Sequence, residues 1–242
     1  MFEFLVNIFH NFLYQPLFNL LVLLYNYIPG HDFGVAIILL TLAIKFILYP
    51  LSVKAFNSQI AIQKIQPQIQ EIQKIYKEDK EKQAKETLEI YKKEKINPFS
   101  GLFLAFIQLP ILIALYWVFW NGLKPEELTY LYGFVSNPGQ IDAIFLGIID
   151  LSKANVILAV LAGITQFYQT KMLTPKPGPK KEGGPDFSQI MQKQMLYFFP
   201  AFTVIILLNL PSALGLYWTV SGIFSIIQQS LLLKKNKKTQ PN

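Results

Sequence analysis

Five stretches of this chain are apolar over nearly the thickness of a lipid bilayer. They run Phe33 to Leu51, Gly101 to Trp120, Ala154 to Thr170, Met195 to Leu210 and Leu214 to Leu233, with lengths of 19, 20, 17, 16 and 20 residues. A helix needs roughly 20 apolar residues to cross about 30 Å of hydrocarbon. Three runs fit directly, and the third and fourth are short enough to call for local bilayer thinning or flanking residues that reach outward. Composition agrees: 52% of the 242 residues are hydrophobic and 15% charged, against about a quarter charged in a soluble domain. The expected fold class is an all-α integral membrane protein with five transmembrane helices around a polar groove.

Charge placement orients the spans. All 22 basic residues are lysines, and nineteen of them lie in three segments, Lys54 to Lys95, Lys171 to Lys193 and Lys234 to Lys238. Basic residues are retained on the cytoplasmic side, so these segments are read as cytoplasmic. The opposite side carries Lys124 and Lys153 with Glu126, Glu127, Asp142 and Asp150. Five spans ending in the cytoplasm place the N-terminus outside. With no cysteine, disulfides and thiolate sites are excluded, and with only His10 and His31 the prospects for zinc chemistry are poor; neither a metal nor a cofactor is expected.

Outside the spans the chain divides further. Residues 1–32 carry Glu3, Asn7, Asn11, Gln15 and Asn19 at every fourth position among Phe, Leu and Val, the pattern of a helix lying in the extracytoplasmic interface. No basic segment precedes it and no small-residue cleavage site follows, so a signal peptide is not expected. Pro29, Gly30 and Asp32 turn the chain into the first span, 33–52. Within 53–97, Ile62, Ile65, Ile69, Ile72 and Tyr76, followed by Ala84, Leu88 and Tyr91, predict an antiparallel helical hairpin. Pro67 is expected to kink its first arm or mark that arm's start. Four further spans occupy 98–234. The loop near 174–190, rich in Pro and Gly, is read as disordered, and 235–242 as a basic cytoplasmic tail. No internal repeat suggests the halves of a secondary transporter.

Lys45 carries the sharpest functional signal, because it lies thirteenth in the first run. A central lysine costs roughly 2.5 to 3.5 kcal/mol to insert, which the surrounding Leu and Ile can offset. Helical side chains lean toward the helix N-terminus, so Lys45 points to mid-bilayer and away from the nearer cytoplasmic surface. A hydrated intramembrane cavity is the reading favoured over snorkelling. Thr41, Lys45, Tyr49 and Ser52 share one face of the first span, and Tyr217, Ser221, Ser225 and Gln228 one face of the last. Gln108 lies in the second span, while Thr165, Gln166 and Gln169 cluster in the third. Each alone suits interhelical hydrogen bonding; together they favour a polar groove. No carboxylate lies in any span, and no protease, hydrolase or phosphate-binding motif is present, so no catalytic residue is assigned.

The segments "QPLFNLL" at Gln15 to Leu21, "TLAIKFILYPLSVKA" at Thr41 to Ala55, "IQPQIQEIQKIYK" at Ile65 to Lys77, "NPFSGLFLAFIQLPILIALYWV" at Asn97 to Val118 and "LPSALGLYWTVSGIFSIIQQ" at Leu210 to Gln229 resemble the YidC-type membrane protein insertase family, with its mitochondrial and chloroplast relatives. The resemblance implies a groove open to the cytoplasm and to lipid, with Lys45 where most members have Arg, and Thr41, Gln108, Gln166, Tyr217 and Trp218 lining or approaching it; Ser221, one turn from Tyr217 on the polar face of the last span, joins the expected groove residues. It implies a multi-pass protein of the bacterial cell membrane that helps nascent segments enter the bilayer without consuming nucleotide. The implied partners are nascent membrane proteins with acidic translocated ends, membrane lipids and, more distantly, the ribosome and the Sec translocon. No specific nucleic acid is among them. The competing reading is a small channel or transporter, which flux measurements would distinguish. A lipid-modifying enzyme would need a nucleophile beside a base, and a structural scaffold would leave Lys45 unexplained.

Overall fold

The structure, a computed structural model, describes residues 2–97, 100–174 and 187–238. The core of the loop expected to be disordered, 175–186, and the end of the basic tail lie outside the described residues. The protein is mostly helical. Helix α1 (Phe2–Phe9) passes through a π-helical turn at His10–Tyr14 into α2 (Gln15–Tyr27), and α3 (Phe33–Ile47) follows. Asp32 begins α3 by accepting a hydrogen bond from the Val35 N–H at 2.9 Å, filling one of the donors a helix start leaves unpaired.

The first apolar run does not form one straight helix. Helix α3 stops at Ile47, and α4 (Tyr49–Ile75) leaves it at 64°. Pro50 explains the break: without an N–H it makes no helical bond back to the Phe46 carbonyl and its ring crowds that carbonyl, whereas in the first turn of α4 the missing donor costs nothing. Ser52 therefore belongs to α4, although the sequence reading placed it in the first span. Pro67 neither stops nor starts a helix; α4 continues through it at an exposed position.

Helix α5 (Lys80–Lys93) folds back on α4 after Asp79, whose side chain accepts from the Lys82 N–H at 2.9 Å. Ile65 and Ile69 are buried. The second arm is rotated relative to expectation: Ala84 and Leu88 are exposed, while Gln83, Thr87, Ile90 and Tyr91 are half-buried. The face holding Ile90 beside Tyr91 removes more apolar surface from water than the face holding Ala84 and Leu88, and burial scales with that area.

The chain then runs through α6 (Ser100–Asn121), a 3-10 turn at Pro125–Tyr130, a short antiparallel hairpin of β1 (Ile144–Phe145) and β2 (Ile149–Asp150), α7 (Val156–Leu173), α8 (Phe187–Leu207) and α9 (Ser212–Lys238). Glycines set the helix register. A Cβ on Gly215 would stand 3.2 Å from Leu158 Cβ, and one on Gly222 would stand 2.6 Å from Thr165 Oγ1. The two contacts advance together along both chains, so α7 and α9 are parallel and pack backbone to backbone, as small residues allow inside membranes. Gly163 meets Val204 and the Pro200 carbonyl, which places α8 on another side of α7.

The starts of α3, α7 and α9 meet at one pole. There Leu146 N–H donates to Asp32 Oδ2 at 2.7 Å, Ser212 N–H to the Lys153 carbonyl at 2.9 Å, and Ala213 N–H to the Leu151 carbonyl at 3.1 Å. Beneath them Phe18, Phe33, Ile37, Leu115 and Phe119 form the buried core.

Among the described residues, Val6–Tyr27, Val156–Leu173 and Ser212–Lys235 are long and apolar enough to cross a membrane, and the bent pair of α3 and α4 can supply a fourth crossing. Phe106–Asn121 and Lys193–Leu207 are shorter apolar stretches. Val6–Tyr27 passes this length test although its sequence pattern reads as an interfacial helix. Its polar stripe is also used differently from expectation. Gln15 and Asn19 each donate to the Tyr130 carbonyl at 3.0 Å, and Tyr132 N–H donates to Asn19 Oδ1 at 2.6 Å. These side chains bind loop backbone, supplying partners to the Tyr130 carbonyl and the Tyr132 N–H outside any regular ladder.

Candidate functional site

The site is a polar seam along one face of α9. Tyr217, Ser221, Ser225 and Gln228 recur one helical turn apart, and three other helices reach them in order along the bundle. From α6, Gln108 Nε2 donates to Tyr217 Oη at 2.7 Å. From α3, Lys45 Nζ donates to Ser225 Oγ at 3.1 Å. From α4, Ser52 Oγ accepts from Gln228 Nε2 at 2.7 Å and itself donates to the Tyr49 carbonyl at 2.8 Å. At 1.5 Å per residue the seam is roughly 16 Å long.

Each partner arrives there for a local reason. Asp32 fixes the start of α3 and therefore the turn on which Lys45 stands. The break at Leu48 swings Ser52 toward Gln228, on a helix that would otherwise carry it straight on. Lys45 is half-buried, and no carboxylate pairs with it among the described residues. The ion pair found there is Lys153 with Asp150, at 2.8 Å, on the opposite pole. The Lys153 ammonium and the Ser152 hydroxyl hold the Asp150 carboxyl below the usual carboxylate range.

The residues expected to line the groove divide into two groups. Lys45, Gln108 and Tyr217 are joined to the seam by direct hydrogen bonds, and Ser221 stands one turn from Tyr217 within hydrogen-bonding reach of it. Thr41 is fully buried and gives its hydroxyl to the Ile37 carbonyl of its own helix at 2.6 Å. Trp218 is half-buried and packs against the apolar core. Gln166, on α7, keeps a buried Oε1 without a hydrogen-bond partner and is not joined to the seam; Gln229 on α9 has the same feature. Ser52, Ser225 and Gln228, which the sequence spacing puts on polar faces without a role of their own, join the site through the bonds from Lys45 to Ser225 and from Gln228 to Ser52. Among the described residues no three His, Cys, Asp or Glu side chains gather where they could hold a metal ion.

Residues 23–239 match the model of the 60Kd inner membrane protein family. The chain belongs to this family. Relatives named membrane protein insertase YidC include the Fusobacterium nucleatum protein, 32% identical over 227 residues, which cover 93% of this chain and 98% of the relative. The Clostridium tetani protein is 35% identical over 214 residues, covering 88% and 87%. The Buchnera aphidicola protein is 35% identical over 230 residues, 94% of this chain and 38% of its own. The chain likewise spans about a third of the Francisella philomiragia and Psychromonas ingrahamii relatives, 34% and 36%. Membership in the 60Kd inner membrane protein family places the protein in a bacterial membrane and bears out the family resemblance read from the sequence.

Proposed function

We propose that this protein is a membrane protein insertase whose polar seam receives the hydrophilic end of an entering segment while its apolar part passes into lipid. The observation that carries the reading is Lys45, a cation among apolar residues held by one serine hydroxyl at 3.1 Å with no carboxylate paired to it among the described residues. A charge so placed needs water or an incoming anion, because burial without either disfavours the charged form. Gln108, Tyr217, Ser221, Ser225, Ser52 and Gln228 supply exchangeable hydrogen bonds along the same path. A polar segment entering there gives up fewer bonds to water than it would in bare hydrocarbon. Thr41, Gln166 and Trp218 support the seam from its flanks. The groove opens toward the cytoplasmic pole, where the helical hairpin of α4 and α5 and the lysine-rich segments lie.

The proposed topology puts the N-terminus outside and the C-terminus in the cytoplasm, with spans formed by α3, α6, α7, α8 and α9. Helix α2 lies along the outer surface. In support, Tyr14, Gln15, Asn19 and Asn26 are all hydrogen-bonded to Glu127, Tyr130, Tyr132 and Ser136, in the single connection between α6 and β1. A helix crossing the membrane would leave such a connection after its first turns. Substrates are nascent membrane proteins with acidic translocated ends, and the ribosome and the Sec translocon are further partners in this reading.

Protease protection of a newly made single-span substrate in vesicles tests it. With an acidic translocated end, Lys45→Arg retains most insertion, and Lys45→Ala loses about tenfold, equivalent to roughly 1.4 kcal/mol of lost attraction. Lys45→Glu is worse still, and a substrate without acids is much less sensitive. Equal loss for both substrates with Lys45→Ala removes the electrostatic role. Ion flux through the reconstituted protein without any substrate would favour the channel or transporter instead.

A further inference from the structure

The tip of the β1–β2 hairpin breaks a local rule. Ile148 N–H donates to the Phe145 carbonyl at 3.0 Å, and the two residues between them, Leu146 and Gly147, have φ of +52° and +71°. A turn with positive φ at both central positions favours Asn-Gly or Gly-Gly, and Leu is rarely found in left-handed backbone. Its side chain gains nothing from the fold in exchange: Leu146 is 64% exposed and Ile148 84%. Nearby Phe134 is 74% exposed and Tyr27 81%. An apolar residue kept at a strained, water-facing turn points to an apolar surface outside the protein.

The depth of the tip identifies that surface. The hairpin is tied to the start of α3 by the bond from Leu146 N–H to Asp32 Oδ2 at 2.7 Å, and by the Phe145 ring, which covers Gly34 so closely that a Cβ there would lie 2.0 Å from Phe145 Cδ2. The tip is thus fixed where the apolar helix α3 leaves the hydrocarbon. Tyr27 precedes the same junction, and Phe134 hangs from it through the Asn26 to Ser136 bond of 2.6 Å. Trp117 and Trp120, both exposed near the end of α6 that meets this pole, are residues typical of the membrane interface. The apolar tip therefore stands at the pole where the exposed apolar surfaces of these helices end.

We propose that Leu146 and Ile148, flanked by Phe134 and Tyr27, insert into the headgroup region of the leaflet at this pole and anchor the loop cap to the lipid surface. The proposal needs no insertase activity, so it and the functional reading fail separately. The protein has no cysteine, which makes single labels clean. A nitroxide on Ile148→Cys in the full chain, reconstituted in phosphatidylethanolamine and phosphatidylglycerol vesicles, is read by power saturation against oxygen and an aqueous nickel chelate. Oxygen access exceeds nickel access at Ile148, and the order reverses at Gln140→Cys, an exposed position of the same connection. Adding Leu146→Asn, which suits the positive φ and keeps the turn, shifts the Ile148 label toward the nickel chelate. Nickel access at Ile148 equal to that at Gln140 would place the tip in water and overturn the proposal. Low access to both reagents at high lipid-to-protein ratio would show the tip packed against protein and overturn it equally.

Discussion

Lys45 and Ser225 stand 180 residues apart in sequence, and the 3.1 Å bond between them joins α3 to α9. It is a charged contact set between the neutral pairs Gln108–Tyr217 and Gln228–Ser52, and it sets how firmly the cation is held when no substrate is present.

Ser225→Ala takes the hydroxyl partner from Lys45. Hydrogen bonds to charged groups contribute about 1.5 to 3 kcal/mol, and the half-exposed ammonium recovers part of this from water. A loss of about 1 kcal/mol in unfolding free energy is expected in detergent. A double-mutant cycle with Lys45→Met checks it; additive losses would show that the bond is not made in solution.

The path of the N-terminal helix is decided by one label. Asn7→Cys, exposed on α1, reacts with an impermeant maleimide from outside if α2 lies along the surface, as does Asn137→Cys. Glu89→Cys on α5 reacts only after permeabilisation. Asn7 reacting with Glu89 after permeabilisation would make Val6–Tyr27 a span and reverse its role.

The rotated second arm of the α4–α5 hairpin gives opposite expectations for two isoleucine-sized residues. Ile69 is buried and Leu88 is exposed. Ile69→Ala costs about 2 to 4 kcal/mol, and hydrogen exchange across α4 and α5 accelerates accordingly. Leu88→Ala stays within about 0.5 kcal/mol. Equal effects would restore the packing face that the sequence spacing suggested.

Gly34→Ala forces a methyl into the Phe145 ring. Overpacking of this kind costs about 1 to 3 kcal/mol, here concentrated in the loop cap, so limited proteolysis between Gly133 and Lys153 becomes faster. Phe145→Ala in the same chain makes room and restores resistance. Unchanged cleavage of Gly34→Ala would show that the ring moves aside freely.

Much of the architecture was legible because a bilayer tolerates few solutions. Apolar length, lysine placement and helical spacing each report on transfer from water, which depends on residues one at a time. Hence the apolar helices, the exceptional status of Lys45, and the polar faces holding Tyr217, Ser221 and Ser225 could be read directly. The arms of the hairpin could be read as helices for the same reason, but not which side of α5 turned inward, because two faces differed by only a few apolar atoms.

What the tertiary structure alone decided is pairing. Periodicity places Gln108 and Gln166 on helices with equal plausibility, yet Gln108 finds Tyr217 while Gln166 keeps a buried Oε1 without a partner, on a helix whose rotation against α9 is fixed by the close approach at Gly222 and Gly215. The bend at Leu48 turned Ser52 away from the line of α3 and onto Gln228, and a polar stripe that reads as the water-facing side of an interfacial helix became a set of bonds to the connection after α6. Burial is a property of each residue and so is written along the chain. A hydrogen bond depends on the relative rotation of two helices, which is settled only when all of them pack.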